Sequence, residues 1–411
     1  MLVGNAIVGQ SGGPTSAINA TLSGIIRGAS SCSSIKKLYG MKNGIEGFLQ
    51  GNIIDLSYLS NNEEQLSLLE STPASALGSC RKRIPSVKED ITIYQRIFDI
   101  FKRNDIRYFF YIGGNDSMDT VSKISEYSKM CDYKINVIGI PKTIDNDLVI
   151  TDHTPGFGSA AKYISTTVQE IARDTACYLC NAVTIIEIMG RDSGWLTASA
   201  GLPKHFGNDG ADLIYLPEKP FSIDKFKADV KSVVDKNRVC IVAVSEGIKN
   251  AEGKYVGEDS SATDVFGHTS LGGVCGVLKA AVKSMNLKCK AIELNILQRC
   301  ASHCASLTDI EESYESGRQA VIHAVNGEAD KMIAFKRVEG KDYAVECVGL
   351  DLSTIANAEK AVPLEWITPD GTGLTEEFIN YALPLIQGEP KPRMKDGLPA
   401  FAKLKMIPFK L

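Results

Sequence analysis

The sequence has no excess of basic residues. Its 45 Lys and Arg against 49 Asp and Glu leave a net charge of −4, so the chain carries no electrostatic footprint for nucleic acid. No apolar run approaches the roughly 18 residues that a membrane helix needs. A basic leader with a small-residue cleavage site is also missing, since Met1 leads straight into a strand-like segment. A cytoplasmic protein without membrane partners is therefore expected. There is no internal repeat and no low-complexity tract. Neither G-x-x-x-x-G-K-[ST] nor G-x-G-x-x-G occurs, which sets aside the two commonest glycine-rich nucleotide loops. The 11 cysteines do not form a zinc framework. Cys177 and Cys180 form a C-x-x-C between a helical pattern and a strand, and Cys300, His303 and Cys304 cluster later. Neither group supplies a closed tetrahedral set, and an odd count in an unsecreted chain points to free thiols.

What is present is an alternation of short apolar strands and amphipathic helices over 411 residues, enough for two cores. The fold class expected is α/β, with two domains that each hold a mainly parallel sheet flanked by helices. The central stretch is Pro141-Lys142-Thr143-Ile144-Asp145-Asn146-Asp147. The run 135–140 before it, Ile-Asn-Val-Ile-Gly-Ile, has the β-branched character of a buried parallel strand. Pro141 ends that strand because it has no N–H for a ladder. Ligands in open α/β sheets sit at the carboxyl ends of strands, so one Lys, one Thr and two Asp are delivered to such an end.

Three further motifs follow the same logic. Residues 9–13, Gly-Gln-Ser-Gly-Gly, form a glycine-rich turn before a helix that opens at residues 16–19, a place where backbone N–H groups suit an anion. Residues 111–117, Tyr-Ile-Gly-Gly-Asn-Asp-Ser, end another strand, with a helix expected over 119–130. Met189-Gly190-Arg191 ends a third strand. Helices are also expected over 91–103, 159–175, 195–202, 265–285 and 309–326, and the tail from Pro384 reads as a surface extension.

Together the four motifs, in this order, resemble the phosphofructokinase family from about Val3 to about Val325. The resemblance implies a phosphotransferase. Residues 1–150 would bind the phosphoryl donor, with part of the chain after about 300 returning to them. Residues 151–300 would bind the sugar phosphate, and 384–411 would be a C-terminal extension. Gly12, Gly13, Arg81, Asp116 and Lys142 would contact the donor. Asp145 would be the catalytic base, with Lys142 and Asp116 in catalytic positions and Thr143 and Ile144 beside the acceptor. Met189, Gly190, Arg191, Glu246, Ile296 and Arg299 would form the sugar-phosphate pocket. Asn115 would be the Mg²⁺ position, and the family usually forms homo-dimers or tetramers. Two departures stand in the pocket: Ile296 replaces a frequent His or Tyr, and Ala182 replaces an Arg of many ATP-using members.

Donor choice is read from Asp116 and Lys142. ATP-using members resemble Gly-Gly-Asp-Gly-Ser and Pro-Gly-Thr-Ile-Asp, whereas this pair resembles the pyrophosphate-using branch. The expected reaction moves a phosphoryl group from pyrophosphate to the 1-hydroxyl of fructose 6-phosphate, with ATP-dependent phosphofructokinase activity as the alternative. A carboxylate at position 116 would meet a nucleotide's α-phosphate. Two like charges about 4 Å apart cost roughly 4 kcal/mol at an effective dielectric of 20, on the order of a thousandfold against ATP.

Overall fold

The computed structural model describes residues 2–177, 179–263, 269–271, 273–340, 342–352 and 359–405. Among them, the larger sheet has seven strands: β1 (Gly4–Gln10), β2 (Ile35–Met41), β3 (Ile53–Asp55), β4 (Ile106–Gly113), β5 (Asn136–Pro141), β12 (Lys331–Arg337) and β13 (Val345–Asp351). Their order is β13-β12-β5-β4-β1-β2-β3, with β4 central. β4 is mostly aromatic and β-branched, and Tyr108, Phe109, Phe110 and Tyr111 are all buried. Alternation along the strands sends side chains to two cores. Ile7, Phe109, Tyr111 and Val137 pack with the helix Ile91–Arg103. Val8, Tyr108, Phe110 and Ile138 pack with residues of the helices Ile18–Ser30 and Leu307–Val325.

β1, β2, β4, β5 and β12 run parallel, while β3 and β13 are antiparallel edges. From β1 the chain turns one way to β2 and later the other way to β4. That reversal is where an α/β sheet opens a crevice at its strand ends. The glycine turn after β1 and the helix after β4 both start there.

The smaller sheet holds β6 (Ala182–Ile188), β7 (Leu213–Tyr215), β8 (Val239–Ser245) and β11 (Lys288–Glu293), all parallel, in the order β11-β6-β8-β7. One face packs residues of the helix Phe157–Ala176, and the other those of the helices Ile223–Asn237 and Val274–Lys283.

Two expectations need correction. The helix anticipated over 265–285 runs only over Val274–Lys283, capped by Gly273 at φ 82°, a conformation suited to glycine. Residues 269–271 of that span instead form β10 (Thr269–Leu271), paired with β9 (Glu258–Thr263), while 264–268 and 272 lie outside the described residues. The helix expected from Asp119 starts at Asn115, so Asn115 and Asp116 occupy its first turn. The surface extension expected from Pro384 is mostly exposed over 391–400 and is tied to the rest of the chain on both sides of that stretch. Leu385 is buried in the core that the helix Phe157–Ala176 shares with the smaller sheet, and farther on the Ala402 N–H donates to Thr72 Oγ1 at 2.9 Å.

Candidate active site

The glycine turn is built by hydrogen bonds from both flanks. Ser11 N–H donates to Ile112 C=O at 2.9 Å and Gly12 N–H to Cys80 C=O at 3.1 Å. Ser79 Oγ donates to Gly12 C=O at 2.6 Å. These bonds lash the segment carrying Arg81 to the turn. Gly12 sits at φ 78°, and a Cβ there would come within 3.2 Å of Lys142 Nζ. Both backbone conformation and space therefore call for glycine.

Lys142 follows the end of β5, and its backbone N–H donates to Gly113 C=O at 3.0 Å. Its side chain is only 2% exposed. The ammonium donates to Gly13 C=O at 2.5 Å. Burial pushes the lysine down to about 8; Arg299 and Arg81 push the same way, against Asp145 and Asp147. Asp145 is pushed up by burial, against a hydrogen bond from Thr143 Oγ1 at 3.2 Å and the nearby cations Lys142, Arg299 and Arg81. Asp147 rises to about 7 through burial and the like charge of Asp145. Burial also raises Glu246 to about 7, against a hydrogen bond from Gly190 N–H at 3.3 Å.

Lys142, Asp145 and Asp147 open on one cavity of about 580 Å³, which Glu246 does not line. Of the residues singled out by sequence, Gly12, Gly13, Arg81, Asn115, Asp116, Lys142, Thr143, Asp145 and Arg191 line it. Arg299 arrives from the short helix Asn295–Arg299; a Cβ on Gly13 would lie 3.1 Å from its Nη1. That places the guanidinium beside the glycine turn. Met189 and Gly190 stand behind the wall: Met189 N–H donates to Gln298 Oε1 at 3.2 Å. Two residues point elsewhere. Ile144 is buried with Phe157 in the core that the helix Phe157–Ala176 shares with the smaller sheet, because the residues flanking it use the polar side of the turn. Ile296 is 56% exposed on the outer side of its short helix.

Sequence reasoning missed several neighbours. Arg83 Nε lies 3.3 Å from Asp116 Oδ1. Glu359 lines the cavity. Asp192, next to Arg191, accepts from Lys249 Nζ and Tyr255 OH, both at 2.8 Å. Gln298 was assigned no role although it directly precedes Arg299. Arg83 had a signal in the basic run 81–83; Glu359 and Tyr255 had none, because only the fold brings them close.

A crevice at the strand ends, a glycine turn, convergent cations and a buried carboxylate define a phosphotransferase on an α/β scaffold. The profile of the family described as phosphofructokinase matches residues 5–323, and the chain belongs to that family. It is 41% identical over 404 residues to a Halomonas elongata protein named pyrophosphate–fructose 6-phosphate 1-phosphotransferase, covering 97% of this chain and 96% of that one. A Xanthomonas campestris pv. campestris protein of the same name is 41% identical over 411 residues, covering 99% and 97%. The crystal structure of a pyrophosphate-dependent phosphofructokinase from Nitrosospira multiformis superposes with a TM-score of 0.89 at 39% identity, covering 99% and 98%.

Proposed function

We propose that this chain transfers a phosphoryl group from pyrophosphate to the 1-hydroxyl of fructose 6-phosphate, giving fructose 1,6-bisphosphate and phosphate. The carrying observation is the buried Lys142 ammonium, held between the glycine turn and Asp145 in the cavity. A cation there meets the phosphoryl oxygens of a donor that has no nucleoside to anchor it. The two relatives described above bear the name of this reaction.

In this reading the glycine turn, Arg81 and Lys142 hold pyrophosphate. Asp145 takes the proton of the 1-hydroxyl as the new O–P bond forms and the bridging P–O bond of pyrophosphate breaks. Its raised pKa keeps it closer in basicity to the hydroxyl, while Lys142 and Arg299 favour its ionised form. Arg191 and Glu246 orient the sugar. Arg299, beside Gly13, faces the transferred phosphoryl as well as the acceptor.

Magnesium fits the wall of this cavity. Asn115 offers an amide oxygen, and Asp116, Asp145, Asp147 and Glu359 offer carboxylates. Among the described residues no three acidic, His or Cys side chains form a ready-made cage. That matches an ion that keeps several waters and takes phosphate oxygens with one or two protein ligands. Bound with pyrophosphate, it would neutralise charge on the phosphates. A cytoplasmic homo-oligomer is part of the same proposal. No helix among the described residues is long and apolar enough to cross a membrane.

Asp116 excludes ATP less strongly by charge than its position first implies. Its side chain is half exposed and paired with Arg83, so solvent and the cation screen it below the roughly 4 kcal/mol of a bare pair. The space taken by Lys142 then carries more of the exclusion. A coupled assay of fructose 1,6-bisphosphate formation with each donor tests the reading. Pyrophosphate is expected to exceed ATP in kcat/KM by roughly a hundredfold or more. Equal or better use of ATP would overturn it in favour of the ATP-dependent alternative.

A further inference from the structure

The matched family region ends at residue 323, yet the chain beyond it reaches back to the turn that carries Asp145. Asn146, next to Asp145, is fully buried at φ 56°. Asparagine tolerates that left-handed conformation better than most residues, but its amide needs partners when buried. Oδ1 accepts from Thr154 N–H at 3.1 Å, and Nδ2 donates to the Tyr381 hydroxyl at 2.7 Å. The same hydroxyl donates to Asp152 C=O at 2.7 Å. Tyr381 lies on the helix Glu376–Ala382, its ring 5.0 Å from that of Trp195 and 5.4 Å from that of Trp366.

Other late residues hold Tyr381 and the turn. Arg337, at the end of β12, donates to Tyr381 C=O at 3.1 Å and to Asp152 Oδ1 at 3.0 Å. Lys360 N–H donates to Asp147 C=O at 2.7 Å, and its Nζ to Asp152 C=O at 2.6 Å. Asp145 thus sits in a turn whose next two residues are fastened from outside the cavity. Tyr381 itself does not line that cavity.

We propose that Tyr381 is a positioning residue for phosphoryl transfer, fixing the Asp145 turn through the side chain of Asn146. This rests on the reading of Asp145 as proton acceptor. Without the hydroxyl, the Asn146 amide loses its buried acceptor and the turn is free to shift. A displacement of about 1 Å in a reacting group costs on the order of a hundredfold in rate.

Tyr381→Phe keeps the packed ring and removes only the hydroxyl. The expected result is a kcat loss of roughly 10- to 100-fold, with KM for both substrates within about threefold of wild type. Trp366→Phe alters the same aromatic cluster without touching the polar link; it should lower the thermal midpoint and leave kcat unchanged. Asn146→Gly accepts the left-handed backbone and removes the amide from the other end. It should reproduce the loss, and the double variant should be no worse than the poorer single one. Near-wild-type kcat in Tyr381→Phe, or additive losses in the double variant, would overturn the proposal. If Tyr381→Phe does not fold, undiminished kcat in Asn146→Gly would overturn it. Turnover is measured with pyrophosphate and with ATP. Turnover with ATP alone would sink the donor reading and leave the Tyr381 comparison decisive; turnover with neither would sink both.

Discussion

Replacing Lys142 with Met should damage activity and stabilise the free protein at once. The structure gives both magnitudes. The lysine falls from 10.5 to about 8 on burial. At 1.36 kcal/mol per pKa unit, keeping it charged costs the fold roughly 3 kcal/mol at pH 7. Methionine fills similar space without that cost, but leaves the Gly13 carbonyl without its donor, a loss of about 1 kcal/mol. The net expectation is a gain of roughly 2 kcal/mol in unfolding free energy, read as a rise of a few degrees in Tm. Activity moves the other way. A cation about 4 Å from a phosphoryl charge contributes roughly 4 kcal/mol at an effective dielectric of 20, so kcat/KM for pyrophosphate should fall on the order of a thousandfold. The pH dependence supplies an internal check. The cost of the charged lysine is complete below its folded value of about 8 and fades as pH rises toward 10.5. The stability advantage of Lys142→Met should therefore be largest at pH 7 and shrink by pH 9.5. A destabilised variant, an advantage that grows with pH, or kcat/KM within tenfold of wild type would each refute this account of the ammonium.

Asp145→Asn should lower kcat by roughly 10²- to 10⁴-fold with little change in fructose 6-phosphate binding; steady-state kinetics and a direct binding measurement would check it, and near-full kcat would remove Asp145 from the role of base. Arg299→Ala should lower kcat as well as raise both Michaelis constants, because the guanidinium stands beside Gly13. An effect confined to KM for fructose 6-phosphate would place it in the sugar-phosphate pocket alone. Asp116→Gly combined with Lys142→Gly should raise ATP-dependent turnover while pyrophosphate turnover falls by at least about two orders of magnitude, and the pair should be non-additive. If the double variant gains no ATP use, the two side chains do not set donor choice. In the wild type, kcat/KM for pyrophosphate should decline above about pH 8 as Lys142 loses its proton. A flat alkaline limb to pH 9.5 would show that its charge is not needed.

Strand ends were the most legible part of the sequence. β5 announced itself through a β-branched run and the proline that closes it, and Lys142, Thr143, Asp145 and Asp147 after it line the cavity. The helix Ile91–Arg103 was equally plain, because its apolar residues recur at the helical period. The helix after β4 was misread at its start, since Asn and Asp in a first turn look like loop residues. Longer-range partners were hidden for a physical reason. Arg337, Lys360 and Tyr381 have no local pattern that marks them, and they meet the Asp145 turn only because β12 pairs with β5 and the helix Glu376–Ala382 packs on the core of the smaller sheet. The same holds for Ile144. Its place in a motif suggested contact with the acceptor, whereas an apolar side chain beside a core has a stronger claim on burial.

The perturbed groups also set an electrostatic cost in the free protein. Asp147 and Glu246 both rise to about 7, while Lys142 falls to about 8. Each shift has burial as its largest cause, so the fold disfavours the charged form of all three. For the two carboxyls the folded value lies above the unfolded one. Their contribution to stability is complete below the unfolded value and is lost as pH rises through 7. The lysine contributes unfavourably below about 8 and recovers above it. Near neutral pH both penalties overlap, and the free protein is electrostatically strained there. Pyrophosphate would bring compensating negative charge to Lys142, Arg81 and Arg299, and a cation bound with it would bring positive charge to Asp147. Charges that are costly in the free protein are thereby turned into interactions made only when donor and acceptor are in place, which is where binding energy can act on the transition state.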